Sequence, residues 1–384
     1  MIIGIITGIV VLTLLVVAHE LGHALVARRY GTVVEEFGIG FPPKVWGRKV
    51  RKSFLGDNVL FSINLLPLGG FVRMQGEHDS DNEKGDYGRM TFKQKTFTLL
   101  AGVAVNWIIA VILLTILAWT GLPKMLPNQF MINSDAKVST SPVFLSFVSP
   151  GMPTDKAGLK VNDEIIKINN QNIVDLSQVS QITKDQKGKT IEVIYKRDGI
   201  IKKASIEVRN NNDDKKGYIG ASPSQASPII RTTWSAPIVG LGTTVQMTAV
   251  TLQGLGQVIV DSLSSVIMRF SPNQETRIKA DEIISKVGDS VGGPLTIFGI
   301  LFPAAQKAGF TYVIMIGAII SLTLAVMNIL PFPALDGGRW FVTFIYRLRK
   351  KELAPEIEEK IHGTGFLILM ILVVLVTIAD VGKF

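Results

Sequence analysis

Apolar residues gather along this chain into four long uncharged runs. Met1–Ala18 carries no charge and continues as an apolar helix through Ala24–Ala27. Thr96–Leu122 is the second run, Ala308–Leu335 the third and Gly363–Ala379 the fourth. A helix rises about 1.5 Å per residue, so roughly 20 residues cross the hydrocarbon of a bilayer. The first three runs are long enough and the fourth is marginal. They predict a polytopic α-helical membrane protein with about four transmembrane helices. No Lys or Arg precedes the apolar stretch Met1–Val17, so it is expected to stay in the mature protein rather than to be a cleaved signal peptide.

Between the first two runs the pattern changes. Val33–Val50 and Val59–Met74 read as two β-type stretches, with Gly38, Gly40, Pro42 and Pro43 in the first and Pro67, Gly69 and Gly70 in the second. The loop is expected to fold as a β-hairpin. After the second run, strands are expected at Thr190–Arg197 and Lys202–Val208, joined by an Asp198-Gly199 turn. Thr232–Val260 is uncharged and long enough to span, yet its Gly, Thr and Gln content (Gln246, Gln253, Gln257) suits a surface-lying or protein-packed helix better. The chain is expected to divide in three. Residues 1–122 hold two membrane helices and the hairpin loop, and 123–227 form an inserted α+β domain. Residues 228–384 hold amphipathic or membrane-lying helices and then membrane helices three and four.

Apolar residues are 47% of the 384 and charged residues only 18%, below the quarter or so usual in soluble domains. The net charge of +9 raises nucleic acid as a partner, but the basic positions argue for lipid. The loop after the first run carries Arg28, Arg29, Lys44, Arg48, Lys49, Arg51 and Lys52 among others, and that after the third carries Arg339, Arg347, Arg349, Lys350 and Lys351. Such loops face anionic lipid on the cytoplasmic side. Four crossings then leave both termini and residues 124–307 outside. There are no cysteines, so a zinc site here must use histidine and carboxylate.

Chemistry concentrates at the end of the first run, in His19-Glu20-Leu21-Gly22-His23. Histidines at i and i+4 of a helix sit one turn apart on one face and can meet a single ion. Glu20 lies about 100° further round, beside such an ion, able to take a proton from water. Three polar residues in five are costly at membrane depth and call for a compensating partner, which a metal supplies. The other histidines, His78 and His362, read as surface residues of polar loops. A catalytic zinc takes three protein ligands and leaves a place for water. The candidate third ligand is Asp336, in Asn328-Ile-Leu-Pro-Phe-Pro-Ala-Leu-Asp-Gly-Gly338. There Pro331 and Pro333 break the helix, and Gly337 and Gly338 permit a tight backbone. A carboxylate on an extended turn at that depth is tolerated only where it faces protein or water. The site also bears on 232–260. One crossing there would put Asp336 on the face opposite His19, and a pair that added Val291–Gln306 would restore the match.

The His-Glu-x-x-His of the first run and the Asn-x-x-Pro-x-Pro-x-Leu-Asp-Gly of a late run resemble the site-2 protease family of intramembrane zinc metalloproteases. The stretch Val148–Asn169, with Ala157-Gly158-Leu159 followed by Asn162-Asp163-Glu-Ile165, is similar to the PDZ-like domain of the bacterial branch. Asn162 stands where that pattern has Gly, and Asn tolerates the left-handed conformation. The resemblance covers nearly the whole chain. It implies one Zn2+ per chain held by His19, His23 and Asp336, with Glu20 as the base. It implies that Asn328 hydrogen-bonds substrate backbone or oxyanion, and that Gly69, Gly70 and Phe71 of a membrane-associated hairpin meet the substrate. It further implies regulated intramembrane proteolysis in a bacterial plasma membrane. The active site would lie near the cytoplasmic side and the PDZ-like domain would be extracytoplasmic, as a size filter or a peptide-docking groove. Partners would be anti-sigma factors or remnant signal peptides, with no nucleic acid. Two other classes compete. An inert PDZ-bearing membrane scaffold or chaperone has no chemical need of Glu20, and a zinc transporter needs more polar residues than the second and fourth spans offer beyond Asn106.

Overall fold

The computed structural model describes residues 1–212, 216–290 and 292–382. Its elements begin with α1 (Ile2–Arg29), the long strands β1 (Val34–Ser53) and β2 (Gly56–Met74), and α2 (Phe92–Thr120). There follow β3 (Leu122–Pro123), β4 (Lys137–Ser139), β5 (Val143–Val148), α3 (Pro153–Lys156), β6 (Glu164–Ile168), β7 (Gln171–Asn172) and α4 (Leu176–Asp185). Then come β8 (Thr190–Arg197), β9 (Ile200–Glu207), β10 (Ala221–Ser224) and β11 (Ile229–Arg231). The chain ends with α5 (Ala236–Arg269), α6 (Gln274–Ser290), α7 (Pro294–Thr296), a π-helical turn (Ile297–Leu301), α8 (Phe302–Ala308), α9 (Phe310–Asn328), α10 (Asp336–Leu348) and α11 (Pro355–Val381). Two compact units result. The helical unit is Met1–Thr120, Phe130–Ile132 and Thr233–Phe384, and the sheet unit is Gly121–Gln129 and Asn133–Thr232.

Among the described residues, five helices of the helical unit, α1, α2, α5, α9 and α11, are long and apolar enough to cross a membrane. Their outward faces keep Ile6, Leu14, Ile108, Ile112 and Leu372 exposed. Close packing inside relies on small residues. A Cβ at Gly22 of α1 would lie 2.9 Å from the Ala101 carbonyl oxygen of α2, and one at Gly4 would lie 2.6 Å from Pro303 of α8. Helix α2 packs against α1, α5 and α9.

Three expectations meet corrections or refinements. The loop after α1 is more than one hairpin, because β1 and β2 each fold back. Residues Glu36–Ile39 pair on one side with Leu60–Ile63 and on the other with Gly70–Arg73, while Lys44–Ser53 pair with Gly56–Asn64. Of the surface-lying and protein-packed readings of 232–260, the structure has the packed one. The first half of α5 runs antiparallel to α2, with Trp119 Nε1 donating to the Thr233 carbonyl (2.6 Å), Gly240 against Thr115, and Trp107 Nε1 donating to Thr248 Oγ1 (3.2 Å). Its glycine and threonines form that contact, so they mark helix packing rather than an interfacial face. Asp336 is not on an extended turn, since the irregular stretch is 329–335 and Asp336 begins α10. Val291, where the second of a pair of crossings would start, lies outside the described residues.

The sheet unit has the strand order β10-β5-β6-β8-β9, with β7 on β6, and a small sheet β3-β11-β4. Its core is Val143, Leu145, Leu159, Ile165, Ile191, Val193 and Ile206. The β8–β9 turn is Asp198-Gly199, both at positive φ (51° and 81°), and Asn162 adopts φ 71° as its role requires. Buried Asp163 receives Arg197 through two nitrogens at 2.6 Å.

Candidate metal centre

Helix α1 buries Gly4, Gly8, Leu15, His19, Gly22 and His23 along one stripe. Both histidines are buried, at 5% and 6% exposure. They fit because α2 offers a glycine where they arrive. A Cβ at Gly102 would collide with His23 Nε2 and come within 2.7 Å of His19 Nε2. The third group arrives from the irregular stretch after α9. Ala334 takes φ 82°, and the first turn of α10 lies so close to Ile329 and Phe332 that a Cβ on Gly337 or Gly338 would strike their carbonyls. Gly365 lets α11 close on Pro333 in the same way.

Asp336 Oδ2 then stands 3.0 Å from His19 Nε2 and 3.2 Å from His23 Nε2, and the two Nε2 atoms are 3.1 Å apart. His23 Nδ1 lies 2.7 Å from the Thr98 carbonyl oxygen of α2 and donates to it. A neutral His23 therefore turns the lone pair of Nε2 towards the other two groups. A nitrogen, a nitrogen and a carboxylate oxygen converging on one point fit a cation, and this donor set suits zinc.

Glu20 lines a cavity of 180 Å³ with His23, Val72, Tyr87, Asp336 and Arg339. The backbone N–H of Val72 on β2 faces its carboxylate. Arg339 donates from Nη2 to the Glu77 carbonyl (3.2 Å) and lies over the Tyr87 ring at 5.6 Å. Burial opposes the Arg339 charge, but Tyr87, Glu77 and Glu358 hold the guanidinium firmly cationic. Burial pushes the Tyr87 hydroxyl far above the usual phenol range, so the ring beside it is neutral. The cavity thus holds a base, two of the three converging groups (His23 and Asp336) and a fixed cation, groups that peptide hydrolysis needs.

Of the residues expected at the site, His19, Glu20, His23 and Asp336 are brought together. Gly69 and Gly70 cross α1 at Val16 and Val17, one turn before His19, with Gly69 at φ 87°. Phe71 instead covers Gly38 within the sheet. Asn328 ends α9 eight residues before Asp336 and is not among the residues lining the Glu20 cavity. His362 is not a loop residue. It sits in α11, and its Nδ1 accepts from the Ala334 N–H at 3.4 Å. Sequence reading missed Gly102, Arg339 and the Thr98 carbonyl. It also missed the polar group that ties the 75–90 loop down. There Asp79 binds Lys95 and Arg347 (3.1 Å), and its N–H donates to Glu358 (2.8 Å).

The pattern of peptidase family M50 matches residues 7–372. A protein of Clostridium perfringens named as a zinc metalloprotease is 30% identical over 98% of both chains. The regulator of sigma-W protease RasP of Bacillus subtilis is 25% identical over 99% of this chain and 98% of its own. A PDZ domain of an SdrC-like protein from Listeria monocytogenes overlays 23% of this chain and 92% of its own, at 24% identity and a TM-score of 0.20. With the family pattern running from α1 into α11, and so across both halves of the triad, this chain belongs to peptidase family M50.

Proposed function

We propose that this protein is a multi-pass intramembrane zinc metalloprotease that hydrolyses peptide bonds in or near the transmembrane segments of membrane proteins. One observation carries the reading: His19 Nε2, His23 Nε2 and Asp336 Oδ2 meet within 3.2 Å beside Glu20. These three residues would hold one zinc. When bound, zinc supplies Lewis-acid activation of water and of the scissile carbonyl. Glu20 accepts a proton from the attacking water and passes it to the leaving nitrogen. Arg339 places fixed positive charge where the carbonyl oxygen becomes negative. Asn328, at the end of α9, hydrogen-bonds substrate backbone. Gly69, Gly70 and Phe71 belong to the strand that would pair with an unwound substrate, which a helix with satisfied amides cannot do.

Helices α1, α2, α9 and α11 are taken as the four crossings. Helix α5 has a mean hydropathy of 1.3 against 2.2 to 2.6 for these four, and a fifth crossing without a sixth would put Asp336 on the face opposite His19. The basic loops support a metal centre near the cytoplasmic side of a bacterial plasma membrane, with the sheet unit, read as PDZ-like, outside. The RasP relative, named a regulator of sigma-W, supports anti-sigma factors as a substrate class; remnant signal peptides are a second class, which the family resemblance suggests.

The test is cleavage of a model transmembrane peptide by the purified chain in detergent. Glu20→Gln is expected to keep zinc and fold while losing about 10²- to 10⁴-fold in turnover. Cleavage by this variant at the wild-type rate would overturn the reading.

A further inference from the structure

The stripe of α2 that meets the two histidines carries Thr98, Gly102 and Asn106, one turn apart each. Thr98 lends its carbonyl to His23 and Gly102 makes room for both rings. Asn106 completes the series. It is 1% exposed, and its amide end lies 3.3 Å from His19 Nδ1, the ring nitrogen that faces away from the triad. In the orientation present, Nδ2 faces the ring and Oδ1 is buried without a hydrogen bond.

A ligand whose Nε2 gives its lone pair to a cation carries its proton on Nδ1, and that N–H must find an acceptor. For His19 the group within reach is Asn106. Turned about its last side-chain bond, the amide keeps its shape and presents Oδ1 to the ring. The orphaned oxygen then gains a donor and the ring gains an acceptor in one step. The Asn106 backbone is itself held, because its carbonyl accepts from Ser321 Oγ of α9 at 2.8 Å.

We propose that Asn106 is a positioning residue of the metal centre, its Oδ1 accepting from His19 Nδ1–H and so fixing the tautomer that turns Nε2 to zinc. The proposal rests on the ligand set given above. It makes the two histidines equivalent, each with an acceptor of α2 behind it, a side-chain oxygen for His19 and a backbone oxygen for His23. Of the two, Asn106 can be removed by mutation.

The test uses the full chain in detergent, zinc affinity by chelator competition, and the visible spectrum of the cobalt-substituted protein. Asn106→Ala removes the acceptor without bulk, and Asn106→Leu removes it at similar volume. Both are expected to weaken zinc about 10- to 100-fold and to shift the cobalt bands. Asn106→Asp keeps an oxygen at the same place and is expected to restore both readouts to near wild type, whereas a packing role would leave the Leu variant, of similar volume, near wild type as well. Wild-type affinity and spectrum in the Ala and Leu variants would overturn the proposal. So would an Asp variant as weak as they are. His19→Ala separates the two levels: if it holds zinc as tightly as wild type, the ligand set itself is wrong.

Discussion

In the sheet unit the buried residues are Val143, Leu145, Ile165, Ile191, Val193 and Ile206, and exposed Lys203 and Glu192 pair at the surface. In the helical unit His19, His23, Lys95, Thr98, Asn106 and Ser321 are buried, while Ile6, Leu14, Ile108 and Leu372 stand exposed. The reversal follows from the solvent. In water, apolar burial drives folding and polar groups cost little outside. In lipid, apolar burial gains nothing, helices approach through small residues, and a polar group is stable only inside with a partner. The helical unit can therefore carry an ionisable, metal-binding interior, and its glycines do the work that leucines do in the sheet unit.

The sharpest way to break this contrast is Gly102→Val. The added carbons would displace the imidazoles, so zinc content is expected to fall to background and peptide cleavage by about 10³-fold or more. Metal analysis of the purified variant decides it, and full occupancy would mean that α2 does not set the site.

Leu145→Ala is the matching change in the other unit. Leu145 is 1% exposed, so its truncation is expected to destabilise the sheet by about 2 to 5 kcal/mol. Hydrogen exchange of the β8 amides in the full chain measures the loss. Cleavage of a short-tailed transmembrane peptide should stay within about twofold, since the base and triad belong to the helical unit. A parallel collapse of cleavage would show the two units to be coupled.

What was legible from the residues alone follows the same division. His19, Glu20 and His23 stand out because polar groups interrupt an apolar run at a helical spacing, and Asp336 because proline and glycine surround it. The β8–β9 turn was legible because Asp198-Gly199 is a local signal, although β9 starts at Ile200 rather than Lys202, as a two-residue turn demands. The doubled pairing of Glu36–Ile39 was not legible, because strand partners more than 20 residues apart leave no local trace. Nor was the Thr98 carbonyl, since a backbone acceptor has no side-chain signature. Asp79, Arg347 and Glu358 meet across more than 260 residues, and nothing in the sequence links them. Gly102 and Asn106 were visible as a small and a polar residue in an apolar span, but their meaning needed the position of α1.

The lipid-facing and water-facing surfaces should also respond in opposite ways. Leu372 of α11 is 52% exposed and Ile200 at the start of β9 is 62% exposed. Leu372→Arg is expected to cost about 2.5 to 3.5 kcal/mol in membrane insertion. Ile200→Arg should change the stability of the sheet unit by no more than about 0.5 kcal/mol. Equal tolerance of the two arginines would sink the assignment of α11 as a crossing.

The smallest expected effect lies on the sheet unit's surface, at the start of α4. Asp175 caps that helix, its carboxylate accepting from the Ser177 N–H at 2.7 Å and from Ser177 Oγ at 2.5 Å, while Gln178 reaches back to the Asp175 N–H at 3.0 Å. The Ser177 hydroxyl and amide hold the carboxyl below its usual range. A group depressed in the folded state stabilises it above the unfolded value, near 3.9, and loses that contribution as pH falls through the folded value. Between pH 7 and 5 the cap is fully ionised in both states, so its contribution does not vary. Asp175→Ala should lower the melting of the sheet unit by roughly 5 °C or less across that range. Below about pH 4 the difference from wild type should shrink, because the unfolded state then takes up the proton more readily than the folded cap does. Hydrogen exchange at α4, followed at pH 7, 5 and 3.5, reads this directly. A difference between variant and wild type that persists undiminished at pH 3.5 would mean that the carboxylate charge plays no part in the cap.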